Sequence, residues 1–422
     1  MADRKHERPE PVRVLMAAIG GYGFHYLQAL LDETPPHAAR LAGVVDPEAR
    51  ASAAWPRVAA LGVPVVDAVG AFFDAGHRAD LAVVVSPIHL HVPQSAEALE
   101  RGSHVLCDKP LGASAAAADA LAAARDRAGR FVLVGYQWSY SAAVQALKRD
   151  LLAGRYGRPR RVTTLCAWPR DPAYYARNGW AGRLRDASTG ALVLDSPANN
   201  AMAHFLHNAF FLVGPEIHRS AMPALVAAEM GRVFSIESAD TTACRAETAD
   251  GCEVLFLASH ATERAIEPRF RVECERGSIV FGETRKRIVG TPEGEAPIDY
   301  GDPDATPQFQ KLFTALDRAV SPGPVVCGIE AAAAQTVCVE AMHASVPEIA
   351  PFPAARRRTG PGGRPFVHRL ADELERCYAA RCLPSELGCA WARRGRPVVP
   401  AVPAGIAAGG SALTPIPGAR WP

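Results

Sequence analysis

The residues most able to do chemistry form the tripeptide Asp108-Lys109-Pro110, at the end of the apolar run His104-Val105-Leu106-Cys107. An ammonium that burial moves towards neutrality can donate or accept a proton. Proline fixes φ and supplies no N–H, so the chain must turn sharply after Lys109, through a trans or a cis bond, and the turn would hold the amine still. A plain surface ion pair is the alternative reading of Asp108 and Lys109.

What would position Lys109 is the strand that delivers it, because open α/β sheets bind ligands at the carboxyl ends of their strands. Upstream, Val12 to Ile19 reads as an apolar strand, and Gly20-Gly21-Tyr22-Gly23 then opens a helix through Phe24, Leu27 and Leu30. Against G-x-G-x-x-G the match is Ala18-x-Gly20-x-x-Gly23. Gly20 would let a pyrophosphate approach the backbone, and Gly23 would let helix and strand pack closely. A second strand, Leu41 to Val45, ends in Asp46, at the distance expected of a ribose-binding acid. A carboxylate there accepts hydrogen bonds from a 2′-hydroxyl and repels a 2′-phosphate, so NAD is expected in preference to NADP. A cap before Pro47 is the plainer role for Asp46. The strand from Asp80 to Val85 then runs into Ser86-Pro87-Ile88-His89-Leu90-His91, with a helix expected from Pro93 to Arg101. A strand through Val105, an alanine-rich helix from Ala115 to Ala128 and the run Phe131 to Tyr136 complete the alternation of a doubly wound sheet.

At 422 residues with a formal net charge of +2, the chain exceeds one comfortable core and suggests two domains. There is no basic cluster with interleaved aromatics, which argues against a nucleic-acid partner. No uninterrupted apolar span has membrane length, and the expected location is cytoplasmic. Ten cysteines without a C-x-x-C pair read as reduced thiols, so no metal site is expected; Cys107 reads as a small core residue.

The glycine turn, Ser86-Pro87, Asp108-Lys109-Pro110 and Tyr136-Gln137-Trp138, in that order, resemble the Gfo/Idh/MocA oxidoreductases over roughly residues 11 to 345. The usual T-P-N-x-x-H of that family stands here as Ser86-Pro87-Ile88-His89-Leu90-His91, and E-K-P as Asp108-Lys109-Pro110. The resemblance implies an α/β protein: a Rossmann doubly wound sheet over residues 11–138, then an α+β domain with a large, mostly antiparallel open sheet over 139–350 that binds substrate and forms oligomers. The open face would meet another subunit, giving a dimer or tetramer. It further implies a coenzyme site of Gly20, Gly21, Tyr22, Gly23, Asp46, Ser86, Pro87, His91, Asp108 and Lys109, with Lys109 near both the nicotinamide and the reacting hydroxyl.

In the second half, Tyr174-Tyr175-Ala176-Arg177-Asn178-Gly179-Trp180 is a polar aromatic loop of a kind that suits sugars, or equally a plain connection. A helix is expected from Pro197, after Ser196 as N-cap, to about Val213. The resemblance implies an acid and a histidine here, usually D-x-x-x-H-x-x-D, and two registers compete. Counting from Gly190 puts Asp195 at the acid and Asn199 at the histidine; counting back from Leu212-Val213-Gly214 gives Asn200, His204 and His207. On a helix those three fall within roughly 60° of one another. The second register is preferred, with Asp195 as a second carboxylate, which makes Lys109, His204, Asp195 and Asn200 the catalytic set; a polar stripe facing solvent or another subunit fits His207 better than His204. Short strands then run from about Leu225 to Cys274, and helices cover 307–320 and 329–344. The extension 351–422 is rich in Pro, Arg and Gly, with a helix near 366–381 and a loosely ordered end from Gly395. Arg356-Arg357-Arg358 could meet an acidic substrate group, though such runs usually face solvent.

Three functions fit these residues. The first is NAD(P)-dependent oxidation or reduction of a secondary alcohol or ketone of a sugar, cyclitol or sugar derivative. The second is bond cleavage by transient oxidation, as in glycosidases or lyases resembling this family. The third is regulation by a non-catalytic dinucleotide-binding protein.

Overall fold

A computed structural model describes residues 10–402 and 404–407. They form two compact units, and the chain first passes from one to the other between Asp108 and Lys109.

The first unit contains the chain up to Asp108, Ala123–Gly135 and Gln308–Val325. Its sheet has six parallel strands, β1 (Val12–Ala17), β2 (Ala39–Val45), β3 (Val65–Val66), β4 (Leu81–Val84), β5 (His104–Cys107) and β6 (Val132–Val134), in the order β3-β2-β1-β4-β5-β6. Where both faces are covered a strand becomes an unbroken apolar run, as in β4 and β6, whose every residue is buried. The order reverses between β1 and β4, so the turns after those two strands flank the crevice where such sheets bind ligands. The helix after β4 is Ile88–Glu100, five residues earlier than expected, with Pro93 inside it. Its start is set by the turn: buried His91 places Nε2 2.8 Å from the carbonyl oxygen of Ser86, and the Ser86 hydroxyl donates to Gln94 at 2.6 Å.

The helix Gln310–Val320, which the sequence places with the second domain, belongs to the first unit and packs on β1, β4, β5 and β6. It supplies the cation for Asp108. Lys311, fully buried, puts Nζ 3.3 Å from Asp108 Oδ1 and 3.3 Å from the carbonyl oxygen of Gly135, and the Tyr26 hydroxyl donates to the same carboxylate oxygen at 2.8 Å.

The second unit, Lys109–Ala122, Tyr136–Pro307 and the chain from Val326 onward, is built on a nine-stranded sheet. Its strands are β7 (Pro159–Ala167), β8 (Pro223–Arg232), β9 (Thr241–Thr248), β10 (Glu253–Ser259), β11 (Ile266–Cys274), β12 (Gly277–Phe281), β13 (Ile288–Pro292), β14 (Ile298–Gly301) and β15 (Ala350–Pro351), in the order β14-β13-β12-β11-β7-β10-β9-β8-β15. The sheet is mixed: β7 with β10 and β8 with β15 are parallel, and the other neighbours are antiparallel. Helices Ala203–Leu212 and Ile329–Ser345 pack on one face. The other face, expected to be open for another subunit, is covered by the chain's own extension: Leu165, Ala167, Ala243, Leu255 and Leu257 share a core with Phe352, Val367, Leu370, Leu374 and Trp391.

The extension contains a hairpin, β16 (Arg357–Thr359) with β17 (Pro365–Val367), and a helix, Leu370–Ala380. The stretch 395–398, expected to be loosely ordered, is instead tied to β8. Gly395 N–H donates to Ala228 at 2.8 Å, and Val398 exchanges backbone bonds with Val226 at 2.9 and 2.8 Å. Residues 408–422, covered by the same expectation, lie outside the described residues. The guanidinium groups of Arg356, Arg357 and Arg358 bond to backbone carbonyls, and Arg356 also pairs with Glu373 at 3.0 Å.

The Asp108 arrangement makes a prediction. Removing one partner of a buried ion pair costs more than removing one neutral hydrogen bond. Lys311→Met should destabilise the protein by about 3–5 kcal/mol and Tyr26→Phe by about 1 kcal/mol, read as thermal unfolding midpoints; equal shifts would show that the amine does not carry the carboxylate.

Candidate active site

In the first unit, β1 ends at Ala17, and Ala18 turns the chain with φ 71°, followed by Gly21 at φ 51°. A Cβ on Gly23 would run into the carbonyl oxygen of Ala18, so this close approach requires glycine. A Cβ on Gly20 or Gly21 would meet nothing within 4 Å, so the loop presents bare backbone to open space. Asp46 ties the loop to the end of β2: one carboxylate oxygen accepts from Ile19 N–H at 2.9 Å and the other from Glu48 N–H at 2.9 Å. Each oxygen keeps a lone pair for a further donor. These residues fit a dinucleotide. Tyr22 has its hydroxyl bonded by the amide of Gln308 at 2.7 Å. Ser86 and His91 are buried and hold the turn after β4, leaving half-buried Pro87 as its more accessible residue. Asp108 is spent on Tyr26 and Lys311.

In the second unit, Lys109 precedes a cis bond to Pro110. Its half-buried Nζ donates to the carbonyl oxygen of Asn200 at 3.1 Å and to Asn200 Oδ1 at 3.4 Å. The Asn200 amide donates in turn to Asp195 Oδ1 at 2.8 Å, and Asp195 Oδ2 accepts from Gly182 N–H at 2.6 Å, with the Arg177 guanidinium 3.9 Å away. Burial raises the pKa of Asp195, while the Gly182 N–H, Arg177, Asn200 and Lys109 pull it back. Arg177 lies over the Tyr174 ring at 3.8 Å and near Trp180 at 5.2 Å, so the aromatic loop folds around the cation that faces Asp195.

The expected helix from Pro197 begins only at Ala203. Ser196 caps a tight turn, accepting from Asn199 N–H at Oγ and from Asn200 N–H at its carbonyl, and Met202 N–H reaches back to Pro197 at 2.9 Å. Local side-chain bonding here displaces the first helical turns. Asn200 therefore lies ahead of the helix and not on one regular face with His204 and His207. The structure gathers Lys109, Asn200 and Asp195. Half-buried His204 sits edge-on to Tyr136 with ring centroids 5.8 Å apart. Asn199 is a core residue, its amide donating to Val193 at 2.9 Å and its oxygen accepting from Gln335 at 3.1 Å. His207, expected to face solvent or a neighbour, is buried and stacked on Tyr136 at 3.9 Å, with Nε2 2.8 Å from Ser139 Oγ.

The chain belongs to the Gfo/Idh/MocA oxidoreductases: residues 12–136 match the family's NAD-binding Rossmann fold, and residues 144–280 match its C-terminal domain. It is 31% identical over 204 residues to a putative UDP-kanosamine synthase oxidoreductase subunit of Amycolatopsis mediterranei, covering 48% of this chain and 52% of that protein. It is 29% identical over 272 residues to inositol 2-dehydrogenase of Streptomyces avermitilis, covering 62% and 71%. The chain thus spans about half the length of the first of these relatives. In fold it is similar to the WlbA dehydrogenase of Bordetella pertussis, solved with NADH and UDP-GlcNAcA, at a TM-score of 0.67 and 20% identity over 80% of this chain and 97% of the other. Arg177 and Tyr136 are absent from the expected catalytic set, although Arg177 lies in the aromatic loop and Tyr136 opens the Tyr136-Gln137-Trp138 landmark two residues past β6.

Burial pushes the pKa of His207 down from 6.5 to about 3, with Lys148 adding to the effect. The unfolded chain takes up a proton below about 6.5 that the folded ring refuses, so this ring's contribution is present above that pH and is lost as pH falls towards about 3. His207→Gln should lower stability at pH 7 yet reduce the loss between pH 7 and pH 5, with this ring's slope at most about 1.4 kcal/mol per pH unit. Denaturant midpoints at the two pH values check it; an unchanged acid slope would place the proton elsewhere.

Proposed function

We propose that this protein is an NAD-dependent oxidoreductase acting on a secondary alcohol, or the corresponding ketone, of a sugar, cyclitol or sugar derivative. The observation that carries the reading is the array Lys109–Asn200–Asp195: an amine held on an amide, which is held on a buried carboxylate. The Gly20-Gly21 backbone and Asp46 would hold the coenzyme, and the Asp46 carboxylate favours a free 2′-hydroxyl over a 2′-phosphate. Bound nicotinamide supplies the hydride acceptor for oxidation, or the donor for reduction. Lys109 or His204 takes the substrate's hydroxyl proton during oxidation and returns it during reduction. Asn200 and Asp195 fix the direction of the amine, and most of the rate comes from that placement. The ring of Trp180 would offer a face for the C–H surface of a sugar-like substrate. Ten free thiols suit a reducing compartment.

The test is absorbance at the NADH band with a panel of sugars and cyclitols. Net NADH formation is expected, and Lys109→Ala should lower kcat at least about 100-fold while leaving coenzyme affinity within a few-fold. His204→Ala should also cost about 100-fold; a wild-type rate from it assigns the proton to Lys109 with Asp195. Bond cleavage without net NADH, or coenzyme binding with neither, contradicts the proposal.

A further inference from the structure

The nine-stranded sheet of the second unit has two faces, and side chains alternate between them. Cys244 on β9 meets Cys338 of helix Ile329–Ser345, at 3.8 Å between sulfurs, so the even-numbered side of β9 faces the helices. The opposite side carries Leu165, Ala167, Ala243, Leu255 and Leu257. Bare, it would be a contiguous apolar surface of the kind that draws in another chain. In this protein Leu370, Ala371, Leu374, Cys377 and Tyr378 of helix Leu370–Ala380, with Trp391 behind them, complete the core over it.

Polar groups commit the same face to the same segment. Glu229 on β8 has no exposure, and it accepts from both the backbone N–H and the hydroxyl of Ser385. Without Ser385 that carboxylate would lose both of these donors inside an apolar surface. Arg245 on β9, its side chain 9% exposed, makes a two-pronged pair with Glu386 at 2.5 and 2.7 Å. At the rim, Arg269 pairs with Glu375 at 2.5 Å and Glu273 with Arg381 at 2.8 Å. Both sheet cations and the anion Glu273 thus meet opposite charges on the segment, and the anion Glu229 meets the two neutral donors of Ser385. Apolar centre, charged rim and matched polarity are the anatomy of an association surface. Here both halves lie on one chain, where the second half is always present at high effective concentration.

We propose that the segment Ala350 to Val398 is an intramolecular cap that takes the place of a second copy of the chain on this sheet face, and that the protein is a monomer in solution. Sedimentation of the full chain across the micromolar range should give the mass of one chain with no dependence on concentration. A mass of two or more chains overturns the proposal. Arg245 also lies 3.4 Å from Glu253 on β10, so Arg245→Glu, which sets a third carboxylate beside Glu253 and Glu386, should loosen the cap and raise the sedimenting mass to that of two or more chains. Adding Glu386→Arg should restore the single-chain mass. Leu374→Asp, with far-UV circular dichroism confirming the sheet, should self-associate in the same way. Folded single variants that stay at the mass of one chain would mean that the cap suppresses no association, and the proposal would fail.

Discussion

Two neighbouring residues of opposite charge follow β5, and they cannot both be satisfied by each other without giving up the chemistry that either could do. The structure separates their duties. Asp108 is buried against Lys311 and Tyr26, while Lys109 is held by Asn200. A carboxylate buried at a strand end is costly unless a cation and a hydroxyl meet it, and Lys311 comes from 203 residues further along the chain. With Asp108 engaged in this way, the amine of Lys109 does not have to neutralise it.

In the second unit the same economy of charge recurs around Asp195. Its burial favours the protonated form, and four groups oppose that preference: the Gly182 N–H and Arg177 from one loop, Asn200 from the turn that follows, and Lys109 from far earlier in the chain. The carboxylate fixes Asn200, and Asn200 fixes Lys109, so the direction of the amine is decided two bonds away from it. Tyr136 performs a similar service with its ring, stacked on His207 and edge-on to His204. His207 is the interior support of that group, neutral because burial leaves its charged form unsolvated.

Much of the first unit was readable from sequence, because a sheet buried on both faces writes its strands as apolar runs and its turns as Gly or Ser-Pro. The glycine turn is legible for a steric reason: only glycine at position 23 clears the Ala18 carbonyl. Asp46 follows a strand of the right length, and it does bond to the loop. The site in the second unit was less legible. Ser196 and Pro197 carry the marks of a helix start, yet Ser196 caps a turn that delays the helix to Ala203, and a delay of that length carries Asn200 away from the helical face that periodicity assigns it. Lys311 gave no signal at all, since a lysine on an amphipathic helix ordinarily faces water. The extension misled by composition: Pro, Arg and Gly suggest loose chain, but Val398 bonds through its backbone to the edge of β8, and a backbone bond leaves no trace in residue type.

Coenzyme binding in the first unit would rest on the bare backbone of the loop after β1 and on Asp46. Titration calorimetry of the folded protein tests this most directly. NAD should bind at one site per chain, NADP at least about ten-fold more weakly because its 2′-phosphate meets the Asp46 carboxylate, and Asp46→Ala should narrow the gap between them. Absence of heat with either coenzyme, from protein whose circular dichroism shows both helix and sheet, would contradict the account at its root.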